Sequence, residues 1–184
     1  VNKGEKKNEL KNVDYTNYEE DVYVGYRYFD SFNKEVSYPF GYGLSYTSFD
    51  YSNAKINMQD DQYLISVNIK NSGVVAGKEV VQLYVGSANG KDLNKPEKEL
   101  KAFFKTKLLM PGEEIDVALT LKKADLASYD EVSSSWKVDG GLYHFMVGAS
   151  SRDIRVDLTT SVDAFAIKTF DVMKAQMPIN TLTR

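Results

Sequence analysis

An all-β antiparallel sandwich of about seven strands is the fold this sequence predicts, and three observations predict it. Apolar residues recur with a period of two over most of the chain after Phe49. Turn-forming residues interrupt these runs every ~8–12 positions. No long helical stripe and no internal repeat of fixed period occurs, which argues against an α/β fold and against a solenoid.

The strands can be taken in order. Tyr63, Ile65, Val67 and Ile69 alternate with Leu64, Ser66, Asn68 and Lys70, as in a half-buried strand, before Asn71-Ser72-Gly73 ends the run. Val81, Leu83 and Val85 face one way in the next strand, with Gln82 and Tyr84 on the other face. Ser87-Ala88-Asn89-Gly90 makes a turn, and Leu100 to Lys107 gives a strand of mixed pattern. Pro111-Gly112 signals a tight turn. Ile115, Val117, Leu119 and Leu121 then alternate with Asp116, Ala118, Thr120 and Lys122, the cleanest amphipathic strand in the chain. Ala124 to Tyr129 reads as a helical turn and Ser135 to Val138 as a short strand. Tyr143, Phe145 and Val147 alternate with Leu142, His144 and Met146, and Ile154, Val156 and Leu158 form the last strand. The inward-facing members of these runs, from Tyr63 to Val147, are the expected core, with Trp136 beside the last hairpin.

The 184 residues exceed the ~100 that such a sandwich needs, so the chain carries flanks. We divide it into a polar tail and aromatic strap (1–48), the sandwich (49–160) and a C-terminal extension (161–184) whose Phe165, Ile167 and Phe170 suggest docking and whose Pro178 suggests departure. The strap, Val22 to Tyr46, holds nine aromatic rings without a clean period. It ends in Tyr38-Pro39-Phe40-Gly41-Tyr42-Gly43-Leu44-Ser45-Tyr46, too rich in Gly and Pro for a helix. Phe40, Leu44 and Tyr46, next to the first strand, are expected to dock on the sandwich. Tyr23, Tyr26, Arg27 and Tyr28 are expected to face outward. Gly41 and Gly43 are expected where Cβ atoms would clash, and Gln82, polar among apolar neighbours, is expected to bond a loop backbone.

Composition excludes several functions. The net charge of −3, with Lys and Arg scattered apart from a run at Lys3 to Lys11, does not supply the basic surface a nucleic acid needs. With no cysteine there is neither a disulfide framework nor a thiolate metal site. No apolar run approaches the ~20 residues of a membrane span, and Val1-Asn2-Lys3-Gly4-Glu5 does not read as a signal peptide; the compartment stays open between bacterial cytoplasm and secretion.

Candidate chemistry is sparse. Glu19, Glu20 and Asp21 are adjacent, so on an extended stretch neighbours point to opposite faces and do not form a facing pair of carboxylates across a substrate. His144 is the only histidine and lies on the outward phase of its strand, so no triad assembles around it. Ser45 lacks a nucleophile-elbow pattern, Gly41-Tyr42-Gly43 lacks the third glycine of a phosphate loop, and Asp92, Asn94 and Glu97 do not follow a calcium-loop spacing. No catalytic, cofactor-binding or metal-binding residue is therefore expected. Among the strap tyrosines, the Arg27 guanidinium is suited to stack and to pair a carboxylate of another domain.

Two motifs carry a family resemblance. Val22-Tyr23-Val24-Gly25-Tyr26-Arg27-Tyr28-Phe29-Asp30, followed by Pro39-Phe40-Gly41-Tyr42-Gly43-Leu44-Ser45-Tyr46-Thr47, resembles the segment joining the α/β sandwich to the C-terminal fibronectin type III-like domain in family 3 glycoside hydrolases of the β-glucosidase and β-xylosidase type. Gly77 to Val85, Pro96 to Phe103, Leu109 to Glu113, Leu126 to Asp130 and Gly141 to Ser151 resemble later parts of that domain in the same order. The resemblance implies an immunoglobulin-like sandwich and a retaining β-glycosidase as parent. It also implies that the Asp nucleophile and Glu acid/base lie on a preceding barrel and α/β domain, which cannot fit here because a barrel alone takes ~250 residues. Those two domains are the implied partners. The implied interface is Tyr23, Tyr26, Arg27, Tyr28, Phe40, Tyr42, Leu44 and Tyr46, a surface also open to self-association. A carbohydrate-binding module or a generic adhesion domain is the competing reading.

Overall fold

The computed structural model describes residues 18–88, 94–170 and 180–183. After a short helix, α1 (Tyr26–Ser31), the chain is built of strands: β1 (Phe49–Gln59), β2 (Gln62–Asn71), β3 (Val80–Ser87), β4 (Glu99–Lys105), β5 (Glu114–Lys122), β6 (Ser128–Asp130), β7 (Ser135–Val138), β8 (Gly141–Ser150), β9 (Asp153–Val162) and β10 (Phe165–Lys168). They pair antiparallel in three sheets. A three-stranded sheet, β1-β2-β5, faces a four-stranded sheet, β4-β3-β8-β9, and a small sheet, β10-β7-β6, lies beside them. The two larger sheets make a seven-stranded sandwich of the fibronectin type III-like kind.

Local chemistry sets the turns. Asp60 and Asp61 both take positive φ (48° and 60°) in a two-residue loop that pairs Gln59 with Gln62, the type I′ geometry whose twist suits a hairpin. Pro111 and Gly112 occupy the centre of a turn closed by the Glu113 N–H on the Met110 carbonyl, and Gly112 supplies the required positive φ of 79°. The expected helical turn is a 3₁₀ turn over Lys123–Leu126, which buries Leu126.

The inward faces follow the alternation. Tyr63, Ile65, Val67 and Ile69 on β2 meet Val117, Leu119 and Leu121 on β5, and Val81, Leu83, Val85, Tyr143, Phe145 and Val147 close the core from the other sheet. Ile115, expected inside, is only partly buried because it sits near the end of its strand, opposite Ile69. Leu109, Val138 and Val162 join the core from positions without a periodic signal.

Trp136 is not a core residue. It lies on β7 in the small sheet, 48% exposed, with its ring edge against Tyr129 at 5.5 Å. That sheet exists because β9 continues to the buried Val162 and the chain then returns as β10 to pair with β7. Phe165 packs against the core, whereas Ile167 and Phe170 stay exposed; Pro178 falls outside the described residues.

Candidate interdomain interface

The outward face of β3 is the unexpected surface. Gln82 and Tyr84 point away from the core, yet both are buried, because the strap folds across them. Gly25, at φ 62°, starts α1, which turns Tyr26 toward the sheet. The Tyr26 ring stacks on Phe40 (4.4 Å between centroids, 18° between planes) and meets Tyr84 edge-on at 6.1 Å. Its hydroxyl accepts the Leu100 N–H at 2.8 Å at the start of β4. Burial raises the Tyr26 and Tyr84 phenols above their ordinary range, so both remain protonated.

Further bonds fasten the same segment. Tyr23, 1% exposed, donates to Asn94 Oδ1 at 2.6 Å and to the Lys95 carbonyl, with its ring against Phe32. Ser31 Oγ accepts the Glu97 N–H at 2.9 Å. Asp30, whose side chain is 5% exposed, receives Arg152 Nε at 2.7 Å and lies 3.9 Å from the Lys98 ammonium. The Arg152 guanidinium also donates to the carbonyls of Phe29 and Lys34, so one side chain grips the C-terminal end of α1 and the residues just after it.

The strap leaves the sheet at a second turn. Tyr42 N–H bonds the Pro39 carbonyl, and Gly41 takes φ 82° at the third position, as a type II turn requires. A Cβ on Gly41 would stand 2.1 Å from Gln82 Oε1. Gln82 Nε2 donates to the carbonyls of Ala149 and Gly41, as expected of a polar side chain holding loop backbone. Gly43 differs from expectation: its missing side chain faces open space.

Phe40 apart, the expected division of the strap is reversed. Leu44 and Tyr46 do not dock on the sandwich; they are 89% and 100% exposed, and Phe40 is partly exposed although stacked on Tyr26. Tyr23 is buried instead, and Tyr26, Arg27 and Tyr28 are half-buried. The reason is α1, which folds the earlier half back onto the sheet, while the Gly41 turn sends the later half away. Arg27 pairs at 3.4 Å with Glu99 of this same chain, which also holds Lys101, so its carboxylate is local. Tyr28 packs on Phe29 and Phe32 within the strap. Tyr42 is half-exposed and tilts against the more exposed Tyr38 at 5.2 Å. Next to α1, a groove of about 860 Å³ is lined by Tyr18, Val24, Tyr28, Phe29 and Leu182 beside Glu19 and Glu20.

The remaining candidates fall where structure gives them little chemistry. Glu19, Glu20 and Asp21 are exposed in two consecutive turns, closed by the Asp21 N–H on the Tyr18 carbonyl and the Tyr23 N–H on the Glu20 carbonyl. His144 lies on the outward phase of β8 and meets Asp157 across the strand pair at 2.9 Å. Asn94 is taken up by Tyr23 and by the Leu182 carbonyl, while Asp92 lies outside the described residues. Among the described residues no group of three His, Cys, Asp or Glu side chains could hold a metal, and no helix is long and apolar enough to cross a membrane. Sequence reading missed Asp30, Lys98 and Arg152; for Asp30, a charged residue amid the strap aromatics was the available signal.

Comparison with known proteins places the chain. Residues 79–151 match the fibronectin type III-like domain family. The chain is 43% identical over 165 residues to beta-glucosidase A of Butyrivibrio fibrisolvens, covering 78% of this chain and 20% of that protein. It is 46% identical over 145 residues to thermostable beta-glucosidase B of Acetivibrio thermocellus, covering 77% and 19%. Beta-glucosidase 3B of Thermotoga neapolitana, solved in complex with glucose, superposes with a TM-score of 0.78 at 47% identity over 83% of this chain and 21% of that one. The chain thus spans about a fifth of the length of the curated relatives it matches. It belongs to the fibronectin type III-like domains, with the aromatic segment that precedes them, of the family 3 glycoside hydrolases.

Proposed function

We propose that this chain is a non-catalytic, domain-organising module of an enzyme that hydrolyses β-glycosidic bonds, whose catalytic carboxylates reside in a barrel and an α/β domain outside it. The observation that carries this reading is the two-sided strap. One side is fixed to the sandwich through Tyr23, Tyr26, Arg27 and Asp30, and the other presents Tyr42, Leu44 and Tyr46 to solvent. Apolar side chains held this far into water on a rigid support are what a docking surface displays. In this reading Tyr23, Tyr26 and Arg27 position the strap, while Tyr28, Phe40, Tyr42, Leu44 and Tyr46 meet the partner domains. The module boundary then runs from the strap through β10 rather than from Phe49 to Thr160, because the strap and the β10 pairing are built into the fold.

The test is an assay of the chain and of the full polypeptide on aryl β-glucosides. The chain alone is expected to give no turnover. In the full polypeptide, Leu44→Asp with Tyr46→Asp is expected to lower activity or melting temperature without altering a catalytic carboxylate. Turnover that copurifies with the isolated chain, or a full polypeptide indifferent to both substitutions, refutes the reading. One observation favours a second reading: the exposed Tyr38–Tyr42 pair has the form of a sugar-stacking platform. Saturable binding of a β-glucan to the isolated chain, lost in Tyr42→Ala, would support it.

A further inference from the structure

Beside Leu44 and Tyr46 lies a polar groove of about 450 Å³, bordered by Ser45 and Thr47, by Tyr51 of β1, by Glu79 just before β3, and by Asp153 and Arg155 of β9. Glu79 is its half-buried carboxylate with a single side-chain hydrogen bond. The Tyr51 hydroxyl donates to Glu79 Oε1 at 2.9 Å, but a carboxylate has room for about four such bonds. Among the described residues no cation lies within 4.0 Å of Glu79. The nearby guanidinium is committed elsewhere: Arg155 forks onto both oxygens of Asp153, reaches toward the Phe49 carbonyl and covers the Tyr51 ring at 5.7 Å. Lys78 and Asp50, both exposed, complete the charged groups around the groove. Glu79 is thus half-buried, and desolvation raises its carboxyl above the ordinary range despite the Tyr51 bond and Arg155. A carboxylate in that condition gains from a cation that brings its own donors.

We propose that a lysine or arginine side chain from the remainder of the parent polypeptide enters this groove and pairs with Glu79, while Leu44 and Tyr46 seat in an apolar recess of the same partner surface. The proposal rests on the domain-organising reading and adds the chemistry of the contact. Two features favour a protein cation over a free polyol. The charges of Asp153 and Arg155 cancel, and those of the exposed Asp50 and Lys78 offset one another, so the net charge left in the groove is the Glu79 carboxylate. The groove also has the exposed Leu44 on its rim, with the exposed Tyr46 two residues on, a pair that only a macromolecular surface can cover together.

Backbone hydrogen exchange tests this, comparing the 184-residue chain with the full polypeptide, wild type and Glu79→Gln, at low and high salt. In the full polypeptide residues 44–48 and 78–80 are expected to be protected relative to the chain alone. Glu79→Gln should lower that protection about tenfold, the effect of ~1.4 kcal/mol from one lost charge pair, and high salt should lower it in wild type but not in the variant. The chain alone should keep its melting temperature in Glu79→Gln. Tyr51→Phe, which removes the internal bond and leaves the charge, should retain the protection. If Tyr51→Phe loses as much protection as Glu79→Gln, the role of Glu79 is structural and the proposal falls. Protection that is present but insensitive to Glu79→Gln and to salt also overturns it, while the domain-organising reading stands. Absence of any added protection in the full polypeptide overturns that reading itself. Binding of cellobiose to the isolated chain, abolished by Glu79→Gln, would assign the groove to a saccharide and refute the cation.

Discussion

Replacing Asp30 by alanine should detach the strap, and the structure sets the size of the effect. The Asp30 side chain is 5% exposed and the Lys98 side chain 10%, so removing the carboxylate strands a buried ammonium. Breaking a buried pair from one side typically costs ~3–5 kcal/mol. Glu97 remains 3.8 Å from Lys98 but is itself half-exposed, which places the expected loss near the lower bound, about 3 kcal/mol. Against a total stability of ~5–15 kcal/mol this is a large share. For a chain of this length it corresponds to a fall in Tm of roughly 6–12 °C. Arg152→Ala should cost less, because its side chain is a third exposed and water replaces part of what it offers. Urea unfolding of both single variants and the double variant gives the coupling directly, and limited proteolysis between residues 31 and 48 reports whether the strap has come away. A loss below ~0.5 kcal/mol for Asp30→Ala, a value ordinary for surface substitutions, would show that the carboxylate does not hold the strap.

Two further outcomes follow from the core and from the small sheet. Leu83→Ala and Leu119→Ala, at 0% and 3% exposure, should each cost ~2–5 kcal/mol in chemical unfolding; losses below ~1 kcal/mol for both would remove them from the core. Asp130 is held at about 2, below its ordinary 3.8, first by the hydrogen bond from Lys137 and then by Ser133. The folded state therefore binds its proton less readily than the unfolded chain, so the stability it lends is complete above pH 3.8 and is lost as pH falls toward about 2. Lys137→Met should raise the Asp130 midpoint in an NMR titration and flatten the melting-temperature profile between pH 2 and 4; an unchanged midpoint would refute the pairing.

The inner faces of β2, β3, β5 and β8 were legible because each alternation repeats over four or more residues and a one-residue slip would turn every side chain to water. Residues on the outer face of β3 were not. Gln82 and Tyr84 follow the polar phase of their strand, and only the arrival of Tyr26 and Phe40 from some forty to sixty positions earlier buries them. The strap failed for a related reason. A six-residue helix gives too short a period to recognise, and nearness in sequence to β1 suggested that Leu44 and Tyr46 would dock, whereas the turn at Gly41 directs them outward. Trp136 was misplaced because its sheet partner, β10, comes from a tail that showed no strand signal strong enough to assign. Gly41 and Gly43 look alike in sequence, and only the proximity of Gln82 separates the constrained one from the free one.

The clasp between Asp30 and Arg152 joins groups 122 residues apart, and during synthesis that separation becomes time. At ~5–20 residues per second, roughly 6–24 s separate the synthesis of Asp30 from that of Arg152. For most of that interval the sheet on which the aromatic segment lies is incomplete, since β3 and β4 come midway, β8 ends only at Ser150 and β9 follows Arg152. A nascent chain in this condition is a substrate for chaperones that bind exposed aromatic residues. Codon changes that slow elongation between residues 50 and 150 should therefore reduce soluble yield more than equal slowing after β9, where the landing surface is already complete.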